Sequence, residues 1–417
     1  MRTGILLLAW KSLINRGMSA FLTVLAVMLA VTLFLSVERI QNGVRVSFNS
    51  TISGTDLIVG ARGGSINLLL YSVFRLGDPT ANISWESYER VATAPGVAWA
   101  VPISLGDSHR GYRVVGTSSA YFDHYRYGRD QALGFRGGER FDRVYETVLG
   151  SEVARELGYE LGQEISLSHG IGAVSFAEHT GHMFEIVGIL APTGTPVDRS
   201  VHVSLESIEV IHIGWDTGIA PTEPVDLDEA ENLQPASITA ALIGVESPIR
   251  VLSLQRQINT YRGEALTALM PGVALSQLWQ VIAAGERAFR AVSVLVVIVG
   301  LISILTALTS SLNERRREMA VLRAAGARPR DIVSLLVMEA AALAALGAMA
   351  GIIITQLALT AIAVFVRTRY GLDLGGQPGL LEVYVFVSVT LAGALAGGLP
   401  AWQAQRNALS DGLTPKL

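Results

Sequence analysis

Four stretches of the chain carry no Asp, Glu, His, Lys or Arg: residues 17–37, 291–312, 340–366 and 383–405. The shortest has about 21 residues and is about 32 Å long as a helix, enough to cross a hydrocarbon core of about 30 Å. A buried core helix of a soluble protein rarely runs so far without a charge. Composition agrees, since only 16% of the residues are charged and half are apolar, against about 25% charged in soluble domains. These figures exclude a disordered chain, and the net charge of −4 gives no basic footprint for nucleic acid. The first stretch exceeds the apolar core of a signal peptide and reads as an uncleaved anchor.

Charge is segregated around these stretches. Residues 1–16 carry Arg2, Lys11 and Arg16 and no acid, and residues 313–331 carry six Arg against Glu314, Glu318 and Asp331. Residues 38–290 hold 19 basic and 29 acidic residues. If all four stretches span, the basic segments fall on one side. Lys/Arg bias marks that side as cytoplasmic, together with both termini. The expected class is thus an α-helical membrane protein with four transmembrane helices and a large mixed α/β extracytoplasmic domain between helices 1 and 2. Its parts are 1–40 (N-terminal segment and helix 1), 41–280 (outside domain) and 281–417 (helices 2–4 with the loop 313–331). Gly347/Gly351 and Gly393/Gly397 place small residues four apart, a spacing that lets helices approach closely in lipid. No charge at mid-depth argues against a proton relay.

The outside region reads as mixed α/β. Expected strands are Asp56–Ala61, Val97–Ile103, Tyr112–Gly116, Glu164–Ser168, Phe184–Leu190, Val201–Ser204 and Ile238–Val245. Expected helices are Trp85–Ala92, Ser151–Leu157 and Pro248–Tyr261. Gly60–Gly64 reads as a turn, and 221–232 as a solvated loop. The apolar run 66–74, flanked by Arg62 and Arg75, fits a core helix, or one that grazes a membrane face or lines an apolar substrate path. All seven histidines lie between 109 and 212. His169, His179 and His182 share one segment, whose imidazoles are zinc-ligand candidates against the plainer reading of surface histidines. The chain has no G-x-x-x-x-G-K-[ST], H-E-x-x-H or G-x-S-x-G, and nothing argues for catalysis on it.

Residues 313–331 (NERRREMAVLRAAGARPRD) are rich in helix formers up to Ala325, with Gly326 placed to end the helix and Pro329 beyond it. A short amphipathic helix here suits docking to a soluble partner; a loop that only sets topology fits the composition equally well. The segment resembles the FtsX/MacB family of ABC transporter permeases, also called type VII or mechanotransmission permeases. The resemblance rests on Glu314, Arg315, Arg317, Glu318, Arg323, Ala324, Gly326 and Ala327, with Met319 for the family's Ile and Ala320 for its Gly. Pro400-Ala401-Trp402 with Ala404, Ala9-Trp10-Lys11-Ser12-Leu13, and Val148-Leu149-Gly150 with Ala154, Leu157 and Phe184–Leu190 extend it along the chain.

The resemblance implies a MacB-like periplasmic domain in a bacterial inner-membrane permease. It implies a coupling helix with Glu314, Arg315, Arg317, Glu318, Met319, Arg323 and Gly326 against an ABC-type ATPase. ATP and Mg would then be bound by that separate subunit, with no cofactor on this chain. It also implies a second permease copy and a periplasmic or lipoprotein partner. The expected function is a non-catalytic permease subunit for a lipid, lipoprotein, peptide or drug. Two alternatives are an FtsX-like regulator of a cell-wall hydrolase and a membrane-anchored sensor without an ATPase.

The expected topology has a direct test. A periplasm-active reporter should work when fused near Asp226 and fail when fused after Leu417; the reverse pattern overturns the assignment.

Overall fold

The computed structural model describes residues 17–169, 178–213, 233–324, 326–370 and 379–410. Four of the described helices are long and apolar enough to cross a membrane: α1 (Gly17–Asn49), and three at the C-terminal end that follow the α/β elements in chain order. After α1 come β1 (Leu57–Ala61), α2 (Ser65–Ser72), β2 (Ile83–Ser84), α3 (Trp85–Ala92), β3 (Val97–His109), β4 (Tyr112–Thr117) and α4 (Ala120–His124). Next are β5 (Arg126–Tyr127), β6 (Gln131–Ala132), β7 (Phe135–Gly138), β8 (Glu146–Leu149), α5 (Ser151–Leu157), β9 (Glu164–His169) and β10 (Glu178–Leu190). A 3₁₀ turn (Pro196–Arg199) leads into β11 (Ser200–Ser204), α6 (Leu205–His212), β12 (Ser237–Ile238) and β13 (Ala240–Val245). The series closes with α7 (Val251–Asn259), β14 (Leu266–Leu269), α8 (Pro271–Ala324), α9 (Pro329–Tyr370) and α10 (Leu380–Ser410). The chain passes from a helical unit into an α/β unit between Gly43 and Val44 and leaves it between Ile282 and Ala283.

The α/β unit is built on a mixed sheet ordered β14-β1-β13-β3-β4-β11-β8-β10-β7, with β9 paired to β10 and β3. Most pairs are antiparallel, but β4–β11 and β8–β10 are parallel. Both faces are covered, so successive strand residues enter different cores. Ile58, Val115, Val148 and Leu242 face a cluster that takes Leu68 and Leu69 from α2 and Tyr121 from α4. On the opposite side, Leu57, Val59 and Ile243 meet Val91 of α3 and Leu254 of α7. Val114, Leu149, Phe184 and Val203 meet Val153 of α5 and Ile211 of α6.

Local signals place several elements. Ser84 caps α3 by accepting from Ser87 N, and Gly158 ends α5 in the left-handed region at φ 70°. The run 66–74 is a core helix, with Leu68, Leu69, Tyr71, Val73 and Phe74 buried, which removes the membrane-grazing reading. Gly60 lies in β1, inside the expected strand Asp56–Ala61, where a Cβ would sit 2.6 Å from Leu68 Cδ1; of the turn expected at Gly60–Gly64, only the residues after Ala61 bend. Strands β7 and β14 and helix α6 were not legible in advance. β3 also runs on to His109, because Ser108 and His109 pair with β4 while Asp107 and Ser108 pair with β9. Residues 221–232 lie outside the described residues.

In the helical unit, α9 is the most enclosed helix, with 44% of its apolar window buried against 22–28% for the others. Its glycines explain why. A Cβ on Gly347 would sit 2.6 Å from Val27 Cβ, and one on Gly351 would sit 2.9 Å from Met28 O, both on α1. Gly393 and Gly397 of α10 sit on α9 in the same way, 2.4 Å and 2.5 Å from the Cβ atoms of Ala344 and Ala340. Lipid tails are as apolar as leucine, so close van der Waals packing and interhelical hydrogen bonds must hold such helices together. Thr32 supplies one, its hydroxyl donating to Gly351 O at 3.3 Å. Arg39 of α1 donates through Nε to Glu382 of α10 at 2.9 Å, joining the two helices near their ends.

Gly347→Leu and Gly393→Leu should each lower the melting temperature of the detergent-solubilised protein, by the equivalent of about 1–3 kcal/mol of overpacking. Gly398→Leu, where nothing lies within 4 Å of the added Cβ, should not. Gly347→Ala is the sharper test. Helix propensity alone would favour alanine by about 1 kcal/mol, so a loss of stability there isolates the α1–α9 contact.

Candidate functional site

The arginine-rich segment folds differently from the expected short helix. Helix α8 continues unbroken from Pro271 through the second apolar stretch to Ala324, so Glu314, Arg315, Arg317, Glu318 and Met319 lie on its last turns. Local chemistry allows this continuity. From Glu286 to Ala324 the sequence has no proline, and Gly300 is its one glycine, so neither of the usual helix breakers falls near the charged turns. The expected stop is where Gly326 placed it: its φ is +93°, and its N–H donates to Arg323 O at 2.9 Å. The chain then turns into α9, whose start is capped by Asp331 accepting from Arg328 N at 2.8 Å. Arg323 is half-buried and Gly326 exposed; the side chains from Glu314 to Met319 lie outside the described residues.

The three candidate zinc ligands do not form a described site. His169 ends β9, and His179 and His182 lie on β10, its antiparallel partner. The side chains of His169 and His179 lie outside the described residues, and the His182 ring is stacked on Tyr145, with Nδ1 2.7 Å from its hydroxyl. Burial holds the His182 pKa below its ordinary value. Among the described residues no group of three metal-ligating side chains occurs.

The α/β unit contains a cavity of about 430 Å³ whose walls include Phe48, Phe74, Arg75, Leu76, Arg113 and Arg199. Helix α2 delivers Arg75. Leu76 N donates back to Leu70 O at 3.0 Å, closing the helix, and Arg75 occupies the left-handed position at φ 59° where glycine is usual. A non-glycine residue there costs about 1–3 kcal/mol. The Arg75 Nη1 donates to Ser72 O, a helix-end carbonyl. Its Nε is buried with no acceptor. Arg113 on β4 donates to Asp78 at 2.9 Å and to Gly77 O at 2.5 Å, leaving Nη1 buried without an acceptor. Arg199 meets Glu152 at 3.2 Å. Burial raises the Glu152 pKa, with Arg199 pulling the other way. The sequence pointed at Arg75 only as the flank of an apolar run; an arginine where a buried helix should end in glycine was the available signal.

Behind Arg75 lies a buried aromatic group. Tyr121 packs against Tyr125 and His202, with ring centroids 5.0 and 5.4 Å apart. Burial first, then the charge of Arg75, pushes the His202 pKa down to about 3. Burial raises that of Tyr121 to about 12.

Residues 20–236 match the MacB-like periplasmic core domain family, and residues 290–408 match the FtsX-like permease C-terminal family. The chain is 23% identical over 420 residues to the macrolide export ATP-binding/permease protein MacB of Escherichia coli K12, covering 96% of this chain and 59% of that protein. It is 24% identical to the protein of the same name from Wolinella succinogenes, again over 96% of this chain and 59% of the relative. It therefore spans about three-fifths of the length of these curated relatives. Among solved structures it is similar to the periplasmic region of MacB from Actinobacillus actinomycetemcomitans. That likeness has a TM-score of 0.35 and 10% identity, over 55% of this chain and 94% of that one.

The depressed His202 pKa sets a pH dependence. In the window between its ordinary value near 6.5 and its folded value of about 3, the unfolded chain binds the proton that the folded chain refuses. This contribution is present in full above 6.5 and is lost as pH falls, by about 2 kcal/mol at pH 5. Melting curves at pH 7.5 and pH 5 should show that loss in the native protein and a smaller one in His202→Phe. The residual slope would come from His109 and His182, whose pKa values burial also lowers, opposed by His212 and by the carboxyls of Glu152, Asp198 and Glu209, whose pKa values are raised.

Proposed function

The chain belongs to the family of ABC transporter permeases with a MacB-like periplasmic core domain and an FtsX-like permease region, and from that membership we propose that it couples ATP hydrolysis on a separate ATPase subunit to movement of its α/β domain. The observation that carries this reading is the continuity of α8. Its residues Pro271–Ile282 belong to the α/β unit, and the rest belongs to the helical unit and ends in the arginine-rich turns. A helix of 54 residues is about 81 Å long, and a continuous helix transmits a push or tilt at one end to the other. No proline interrupts it after Pro271. Work done at the 314–326 segment can therefore be passed on along one backbone.

In this reading α1, α8, α9 and α10 span the bacterial inner membrane, with the termini and the 313–331 segment in the cytoplasm and the α/β domain in the periplasm. Arg315, Arg317 and Arg323 present donors suited to carboxylates on the ATPase. Glu318 lies three residues after Arg315 on the helix, close enough to pair with it. Gly326 lets the chain reverse between α8 and α9. A second permease copy completes the transporter. The cargo is a lipid, lipoprotein, peptide or drug handled outside the membrane.

Two variants separate docking from transmission when the protein is co-expressed with its ATPase. Replacing Arg315, Arg317 and Glu318 together by Ala should weaken co-purification of the ATPase at least several-fold while leaving membrane insertion intact, because Arg316, Arg323, Arg328 and Arg330 remain. Ala283→Pro, within α8 where the units meet in sequence, should keep the ATPase bound but abolish the ATP-dependent change of a fluorophore in the α/β domain, since an interior proline costs about 3 kcal/mol and kinks a helix. Normal association in the triple variant rejects 314–326 as the docking element. A normal fluorophore response in Ala283→Pro rejects α8 as the transmitting element.

A further inference from the structure

We propose that the α/β-unit cavity beside Arg75 is a binding site for an anionic amphiphile, with its phosphate or carboxylate oxygens on Arg75 and Arg113 and its apolar part against Phe48, Phe74 and Leu76. The charge balance is the first reason. Arg75 is 9% exposed and Arg113 8%. Arg113 has Asp78 as its counter-charge, and that carboxylate is 72% exposed. Arg199 has Glu152. No ion pair to Arg75 occurs among the described residues, so the cavity wall carries a buried cation without an anion. Burying a charge is tolerated when it is paired, and far less so when it is not.

The second reason is the unmade hydrogen bonds. Arg75 Nε and Arg113 Nη1 are both buried donors with no acceptor. These two atoms are shut off from the cavity by their neighbours, so the protein leaves the guanidinium charge uncompensated, and an anion in the cavity would meet the edges that Arg75 and Arg113 present to it. Arg75 caps α2 by donating from Nη1 to Ser72 O, and the Tyr121 hydroxyl lies beside the guanidinium, but neither group brings a negative charge. Guanidinium groups match phosphate and carboxylate alike.

The third reason is the lining. Phe48 and Phe74 stack at 4.5 Å between ring centroids and form an apolar wall next to the arginines. A free inorganic anion gains nothing from that wall, whereas an attached alkyl segment does. The volume of about 430 Å³ lies within the range of small-ligand sites. Every one of these residues belongs to the α/β unit. The site stands independently of the coupling proposal, because binding is measured with no ATPase present.

The test uses the full chain in phosphatidylcholine nanodiscs, titrated calorimetrically with hexyl phosphate, hexanoate, inorganic phosphate and hexanol, with empty nanodiscs subtracted. Hexyl phosphate or hexanoate should bind saturably, inorganic phosphate at least tenfold more weakly, and hexanol not at all. Arg75→Gln should weaken binding of the better probe at least tenfold. Because Arg75 also caps α2, Arg113→Gln provides a second variant with the same expected direction. Arg62→Gln, at an exposed position, should bind as the native chain does. Circular dichroism would confirm that each variant is folded. Three results overturn the proposal: no saturable binding of either anionic amphiphile, equal affinity for inorganic phosphate, or undiminished affinity in a folded Arg113→Gln or Arg75→Gln variant.

Discussion

Close approach of helix backbones at glycine is the constraint from which the helical unit follows. Apolar helices in an apolar solvent gain little by hiding from it, so their association depends on how many atoms touch. Gly347 and Gly351 bring α9 onto α1, and Gly393 and Gly397 bring α10 onto α9. Ala340, Ala344 and Ala348 continue the same small-residue surface and are fully buried. With α9 enclosed between two helices, the large side chains on the other faces, such as Phe21, Leu295 and Leu395, remain exposed. Such faces are suited to lipid or to another helix. The Arg39–Glu382 pair ties α1 to α10 by charge, as Arg290–Glu38 ties α8 to α1.

The α/β unit obeys the opposite rule, because water drives its packing. Its strands bury alternate side chains in separate clusters, and helices cover both faces of the sheet. The cavity at Arg75 is the place where this economy fails. A left-handed arginine ends a buried helix, two buried guanidinium donors lack acceptors, and His202 sits neutral behind them. Local rules are broken together at one position, which is the pattern expected where a protein keeps strain for binding.

Much of this was legible from residue order. The four apolar stretches became the four long helices, and the Gly-x-x-x-Gly pairs became their contacts. Trp85–Ala92 and Ser151–Leu157 appeared with the expected bounds; Ser84 caps the start of the first and left-handed Gly158 ends the second, both by local chemistry. Gly326 ends α8 as expected because only a residue without a Cβ adopts φ +93° freely. Short strands such as β7 and β14 were missed because four residues of pattern are too few to separate a strand from a loop without a partner in view. The length of α8 was missed for a related reason: the charges after residue 312 look like a boundary, yet they do not interrupt a backbone rich in helix formers.

The sequence by itself determined what depends on composition over one or two turns: which stretches are apolar enough to span, where helices stop, and which family the chain resembles. The tertiary structure decided what depends on residues far apart in the chain. Gly60 fell in both an expected strand and an expected turn, and the Leu68 side chain lying against it shows why the strand carries no side chain there. That His182 is stacked on Tyr145 and bonded to its hydroxyl could not be read from the segment that carries it. Arg75 and Arg113, 38 positions apart, share one cavity only because α2 ends beside the start of β4. Whether a buried donor has an acceptor is a property of every neighbour at once, and no local pattern encodes it.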